Sequence, residues 1–454
     1  MRPSALPRLR RSGVALIAVM WVILVAGLLL LGLTLRIRAT LLMAHNELEC
    51  VRAHWLARAG VEQALAVLSA DAAAADGPGD LWYDDELTFG PTELTGGSFM
   101  VTAPPGDEDA PDRPRFGLID HAGRLNVNEA EAQQLAAVST LEDWQVAALL
   151  DWRDSDTQVS PNGAEGPFYE GLPHPYAIRN GPLRTIDELR LVRGIDQADL
   201  AGEDANDNGI LDAHENDGAA RWPDDNADGR LQAGLARLVT VYAYELNRDA
   251  DGNERVNVNT VDEQTLIDRF SFSKALARGL VNHSSGSRQG GDRQGGGGQR
   301  FGSLMDLLDV KGRREEGDED ADGAVTEITL AWLAANLDAL TLTDDERLPA
   351  RVNVNTASGA VLASLPQINA ETAASILRRR ASGSGPVLAV GELLTGRVLS
   401  EDQFKAVAEK VTVRSNVFEI RSTGVTRWGI RQSIVAIADR GTTPMSILYW
   451  YQDE

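Results

Sequence analysis

Residues 14–35 read VALIAVMWVILVAGLLLLGLTL, twenty-two positions without a charge, and Arg8, Arg10, Arg11, Ser12 and Gly13 lead into them. At about 1.5 Å per residue the run makes a helix of roughly 33 Å, enough to cross a bilayer core of about 30 Å. Four arginines precede it, and the first acidic residue is Glu47. That asymmetry predicts a cytoplasmic N-terminus with the bulk of the chain across the membrane. A cleavable secretory signal is the alternative reading, but its apolar region is about 7–15 residues long and ends at a small-residue cleavage site. Here the run passes straight into helix-forming sequence. From Leu41 to Ser69 there is no proline, and Leu48, Val51, Trp55, Ala59, Val61, Leu65 and Leu68 recur at three- and four-residue steps. They predict one helical face, its second half lying against a soluble domain.

The whole chain has 454 residues and a net charge of −24. An acidic balance of that size disfavours nonspecific nucleic-acid binding, which needs a positive surface. Cys50 is alone and cannot form an internal disulfide. Stability must come from packing or from metal.

Arg10-Arg11-Ser12-Gly13 before Val14-Ala15-Leu16-Ile17-Ala18 resembles a class III prepilin signal. The resemblance implies that a prepilin peptidase cuts after Gly13, that Val14 becomes the methylated N-terminus, and that the apolar helix is retained. The fifth mature position, a glutamate in most pilins, is Ala18, as in the K-type minor pseudopilins of type II secretion. A membrane-buried glutamate is tolerated where a positive neighbour compensates it. A subunit lacking it can offer its own terminus but cannot receive one from above, which suits a tip position. Ala18, Trp21, Gly27 and Gly32 are the expected helix-packing positions in the membrane.

From Gly123 onward the chain repeats itself. Leu125-Asn126-Val127-Asn128, Val256-Asn257-Val258-Asn259 and Val352-Asn353-Val354-Asn355 are near-copies, each followed by a leucine at 135, 266 or 362. Each has a later partner segment, beginning near Leu183, Phe301 and Val387. These predict small helical modules in which the last asparagine or the adjoining threonine caps the following helix, and Thr185 or Ser303 caps the partner segment. The third module resembles a helix-hairpin-helix repeat, although Gln367-Ile368-Asn369 stands where Gly-Ile-Gly is expected. A packing scaffold is the expected role, with no nucleic-acid partner. Asp151-Trp152-Arg153-Asp154-Ser155-Asp156, Glu165 and the run from Asn180 to Ile195 resemble the K-type signature, which implies structural calcium near Asp151, Asp154, Asp156 and Glu165.

Asp204-Ala205-Asn206-Asp207-Asn208-Gly209-Ile210-Leu211-Asp212-Ala213-His214-Glu215 has the order of a twelve-residue calcium loop. It offers oxygens at positions one, three and five, glycine at six, the Ile210 carbonyl at seven, Asp212 at nine and a potentially bidentate Glu215 at twelve. A solvated acidic turn is the alternative. Asp224, Asn226 and Asp228 repeat its first half but meet Leu235 at position twelve, and Asp318, Asp320 and Asp322 meet Thr329. Asn247 to Gly252 reads as a turn.

Leu81 to Tyr83, Ser98 to Thr102 and Phe116 to Ile119 read as short strands after a flexible connector, Asp71 to Pro78. Val411 to Val413, Phe418 to Ser422, Arg427 to Ala438 and Ser446 to Tyr451 predict an antiparallel sheet, with Gly424 and Gly441 between strands. The expected fold is α+β: a long N-terminal transmembrane helix on an antiparallel pseudopilin sheet, with a large inserted helical lobe containing helix-hairpin-helix-like modules. The expected divisions are leader 1–13, helix 14–69 with anchor 14–35, first part of the α/β domain 70–122, inserted modules 123–405 with a disordered 282–300, and C-terminal sheet 406–454. No nucleophile elbow, His-Glu-x-x-His helix or phosphate loop is present, so no enzyme is expected.

The K-type resemblance implies an inner-membrane, single-pass subunit capping a pseudopilus. Its partners would be the I- and J-type minor pseudopilins and the inner-membrane secretion assembly platform. A minor pilin of a type IV pilus or competence system, and a membrane-tethered calcium-dependent binding module, are the other readings.

Overall fold

The computed structural model describes residues 12–71, 74–107, 109, 111–138, 141–285, 300–312, 323–349, 351–382 and 385–453. Asp318, Asp320, Asp322 and the arginines before Ser12 lie outside the described residues. Helix α1 (Ser12–Ala70) is continuous. It is the one helix among the described residues long and apolar enough to cross a membrane.

Beyond the apolar run, α1 lies on an antiparallel sheet of β1 (Thr92–Leu94), β2 (Gly97–Val101), β3 (Ile119–Asp120), β4 (Val417–Thr426), β5 (Arg431–Asp439) and β6 (Ser446–Asp453). The strand order is β1-β2-β4-β5-β6, with β3 pairing on β4. The helix meets the sheet through Ala53, Leu56, Ala57, Val61, Ala64 and Leu68, all buried, whereas Leu48, Val51 and Trp55 are exposed. The expected face is thus corrected at Leu48, Val51 and Trp55, whereas Val61 and Leu68 of that face are buried and Leu65 packs against the same core. Small residues allow close approach: a β-carbon on Gly424 would stand 2.1 Å from the Ala53 carbonyl oxygen, and one on Gly60 would stand 2.2 Å from Ser422 Oγ.

Four strand expectations need correction. Leu81 to Tyr83 form a turn, with Trp82 buried against Phe418 at 4.9 Å between ring centroids. Strand structure near Phe116 is confined to Ile119–Asp120. Val411–Thr412 leaves the sheet and pairs in parallel with Val352–Asn353. Gly424 lies inside β4, and the turn between β4 and β5 comes at residues 427–430. Nor is Asp71 to Pro78 a loose tether: Arg440 donates to both Asp71 and Asp76, and Asp76 accepts from the Ser415 amide.

The lobe between β3 and β4 consists of the three repeats, each closed by a two-residue parallel bridge. Leu125–Asn126 pairs with Val239–Thr240, Val256–Asn257 with Leu340–Thr341, and Val352–Asn353 with Val411–Thr412. Within every repeat the first asparagine Oδ1 accepts the amide of the last. The last asparagine then clamps the partner segment, its Oδ1 accepting from and its Nδ2 donating to the backbone of Leu183, Phe301 or Val387.

That clamp replaces the expected helix cap; Asp262 and Ser358 cap the second and third helices instead. Both amide atoms are more completely satisfied by a backbone pair than by one orphan N–H. Ser303 caps its segment as expected, but Thr185 makes no side-chain cap. Arg153 and Arg380, each twenty-five residues past the last asparagine, brace the loop by donating to carbonyls of residues 127 and 130 or 354 and 357. The second repeat has Ser284 there. Helix Lys274–Ser285 extends into the stretch expected to be disordered; 286–299 lies outside the described residues. Buried Glu245 ties the repeats together by pairing with Arg255, Arg351 and Arg414.

Candidate functional site

Helix Asp143–Arg153 starts at a capping box between Glu142 and Gln145 and ends with Asp154 at its C-cap. Glu165 is the N-cap position of the short helix Gly166–Glu170. These two helix ends bring Asp151, Asp154 and Glu165 together, with one carboxylate oxygen of each lying within 4.8 Å of the others. Asp151 is fully buried and accepts the Ser160 amide at 3.2 Å with both oxygens. Glu165 is buried; its oxygens accept no hydrogen bond of normal geometry, and the Gly166 amide favours its charged form. Gly163 leaves the necessary room, since a β-carbon there would fall 2.0 Å from Asp151 Oδ2.

Burial first, and then the neighbouring negative charges, push Glu165 and Asp154 above the ordinary carboxylate range. Clustered hard oxygens with an unsatisfied buried carboxylate can coordinate a divalent cation. Asp156 is exposed and stands aside from this group, accepting the Gln158 amide.

The loop from Asp204 to Glu215 closes on itself. Asp204 accepts the amides of Asn208 and Gly209, while Glu215 reaches back to those of Ala205 and Asp212. Asn206 and Asn208 donate to Asp212. Gly209 takes φ +73°, the left-handed conformation that its place in the loop demands. Asp204 and Glu215 are buried, and the loop is held by these internal hydrogen bonds; its carboxylates do not draw together as closely as Asp151, Asp154 and Glu165 do.

The second half-loop repeats the pattern. Asn226 Oδ1 accepts the Asp228 amide, and Asp228 Oδ1 accepts the Arg230 amide, matching Asn206 and Asn208. Leu235 is a core residue there, but the missing carboxylate comes from elsewhere. Buried Glu203 accepts the amides of Asn226 and Gln232, as Glu215 does in the first loop. Sequence spacing could not find Glu203, which precedes both loops and is held in place by the bridge between Gly202 and Ala233. Asp224 is exposed; Asp225 instead accepts the amides of Asp217, Gly218 and Ala227. Asp249 organises a turn by accepting from Asp251 and Asn253.

The first loop is fastened to the sheet. Arg421 of β4 donates to the Asp207 carbonyl at 2.6 Å and pairs with its carboxylate at 2.5 Å. Glu419 takes Arg421 and Arg124, and these cations hold it well below the ordinary carboxylate range despite its burial. A cleft of about 680 Å³ separates lobe from sheet beside this contact, lined by His121, Arg124, Asp187, Tyr242 and Tyr449 among others.

In the third repeat Gln367 adopts φ +58° and Asn369 caps helix Ala370–Ala381. Of the basic run there, Arg380 is buried and Arg379 pairs with Glu392. Two of the three arginines are thus used in internal contacts, and Arg378 is exposed beside Ser375.

Together, these features define an α+β class: one apolar helix long enough to cross a membrane, lying on an antiparallel sheet, with a helical lobe inserted into the sheet. Residues 123–202 match the family model described as "Type II secretion system (T2SS), protein K", and residues 350–412 match the helix-hairpin-helix motif. The similarity to type II secretion system K proteins is thus carried by residues 123–202.

The type II secretion system protein K of Aeromonas hydrophila is 42% identical over 73 residues, 16% of this chain and 19% of the relative. That of Pectobacterium carotovorum subsp. carotovorum is 50% identical over 50 residues, 11% of this chain and 15% of the relative. These matches span less than a fifth of the relatives' length. A solved chain from the GspK-GspI-GspJ complex of the enterotoxigenic Escherichia coli type 2 secretion system is 15% identical, with a TM-score of 0.38 over 91% of this chain and 99% of that one.

Proposed function

We propose that this protein is a minor pseudopilin at the tip of the type II secretion pseudopilus. It would be processed after Gly13, anchored by residues 14–35 with its N-terminus in the cytoplasm, and joined with I- and J-type minor pseudopilins to nucleate and cap assembly on the inner-membrane platform. The observation that supports this reading is an apolar rod continuous with the helix that packs on the antiparallel sheet, in a chain whose residues 123–202 match the K-protein family model. Its work is mechanical: the rod sits among similar rods, and the broad lobe occupies the space in which another subunit would stack.

Calcium is the cation we assign to Asp151, Asp154 and Glu165 and to the loops built on Asp204 and Asn226. Their donors are all oxygen, and a flexible set of six to eight such ligands suits calcium better than magnesium. Bound calcium would offset the repulsion among buried carboxylates and stiffen the lobe.

The test is co-purification of the full chain with I- and J-type partners, with and without chelator. A ternary complex that is lost on chelation and restored by calcium but not magnesium supports both readings. No complex in calcium removes the tip assignment. The competence-type reading would rest on the match at 350–412, and the internal use of Asn369, Arg379 and Arg380 argues against it.

A further inference from the structure

The end of the sheet nearest the apolar span carries an exposed tryptophan. Trp428 sits at the turn between β4 and β5, is 71% exposed, and meets α1 edge-on at His45, with ring centroids 5.4 Å apart. Gly429 at φ +79° shapes that turn. Arg427 and Arg431 flank it, and the Arg427 amide donates to Gly96, which brings the β1–β2 turn and exposed Leu94 to the same end. Arg36 and Arg38 stand on α1 between this end and the span. Glu47 on α1, Glu93 of β1 and Asp453, opposite Ser433 at the end of β6, are acidic residues of the same region, so the arginines are locally concentrated in a chain whose net charge is −24.

We infer that this hairpin rests on the phosphate-bearing headgroups of the bilayer that the protein's own helix crosses, and sets the direction in which the helix tilts. The inference rests on the membrane topology proposed above. His45 is ten residues past Leu35, about 15 Å along the helix. The headgroup layer on each side is about 5–8 Å deep, so an upright helix would hold the hairpin clear of it. The apolar run of about 33 Å exceeds a core of about 30 Å, and tilt absorbs that mismatch.

Leaning about 30–40° toward the sheet brings a group roughly 10 Å off the axis to within about 5–8 Å of the core edge, at the headgroups. Tilt direction is set by interfacial aromatic and basic anchors. Tryptophan with adjacent arginines is such an anchor, and Trp428 is the most exposed of the large aromatic side chains among the described residues.

The experiment uses the full chain with Cys50→Ser, nitroxide-labelled in turn at Trp428→Cys, Leu24→Cys and Leu87→Cys, in nanodiscs of phosphatidylethanolamine and phosphatidylglycerol. Leu87 is 97% exposed near α1 residue Gln63, far from the span, and serves as the aqueous reference. The expected result is a label at 428 with several-fold lower accessibility to an aqueous nickel reagent than the label at 87, while the label at 24 reports hydrocarbon. Equal accessibility at 428 and 87, with 24 still in hydrocarbon, overturns the docking alone. A water-exposed label at 24 overturns the anchor and the docking together. Protection at 428 that arises only after I- and J-type partners are added assigns the tip to a subunit contact and overturns the lipid assignment. As a label-free check, lipids brominated near the headgroup should quench emission from the unmodified chain more than from Trp428→Phe; equal quenching counts against docking.

Discussion

Arg421, in the central strand of the sheet, holds Asp207, at the apex of the acidic loop 214 residues earlier in the chain. One guanidinium therefore joins the anchored half of the molecule to the inserted lobe. Its other partner, Glu419, is buried, whereas Asp207 is 39% exposed on its side chain. The two ends of this contact should differ sharply in energy. Arg421→Met strands a buried carboxylate and is expected to destabilise the protein by about 3 kcal/mol, less whatever Arg124 recovers. Asp207→Asn should cost under about 1 kcal/mol, because that pair is open to solvent screening. Thermal unfolding of the two variants and their double mutant in detergent measures the difference.

The asparagine clamps should rank by burial. Asn355 is fully buried, while Asn128 and Asn259 are half-buried. Asn355→Ala leaves the Val387 amide and carbonyl unpaired and is expected to cost about 3 kcal/mol, with smaller losses at the other two. Hydrogen exchange at Val387 against Leu183 and Phe301 reads this directly.

Acid should loosen the contact between lobe and sheet. Burial pushes His121 below its ordinary range, so the native state favours the neutral ring; the unfolded chain binds the proton first, and stability falls as pH drops below about 6.5. Glu419 is depressed by its cations, so its contribution is present above about 4.5 and lost as pH falls toward its folded value. A His121→Gln variant should flatten the upper part of that decline. An unchanged profile between pH 7 and 5 would show that His121 does not set it.

Where α1 crosses the sheet there is no space for a methyl group. Gly424→Ala sets a β-carbon 2.1 Å from a helix carbonyl and 2.5 Å from the Ala57 amide, both backbone atoms that cannot turn away. The expected loss is about 2 kcal/mol or more. Proteolysis should then cut α1 beyond residue 50 faster than in the parent chain.

Calcium at saturation, about a hundredfold above its dissociation constant, is expected to stabilise the lobe by about 2.7 kcal/mol per coupled site. Glu165→Gln should remove the contribution of the Asp151 group, and Glu203→Gln that of the second loop. Calorimetric titration distinguishes them, and an undiminished stoichiometry in Glu203→Gln would show that Glu203 is no ligand.

Local sequence carries what depends on near neighbours. An uncharged run of membrane length, three Asn-Val-Asn repeats and an alternation of oxygen donors closed by glycine each express a period or spacing within a few turns of chain, so the rod, the modules and the first acidic loop were legible. The lower part of the face of α1 that meets the sheet, Val61 to Leu68, was legible as well; the upper part was not, because both faces are apolar there and only the small side chains at 53, 57, 60 and 64 admit the strands. The tertiary structure alone decided that Val411 joins the lobe, that Glu203 completes a loop it precedes, and that Arg421 finds Asp207. Each of these pairings crosses an intervening segment, and a hydrogen bond between distant residues leaves no periodic trace in either stretch.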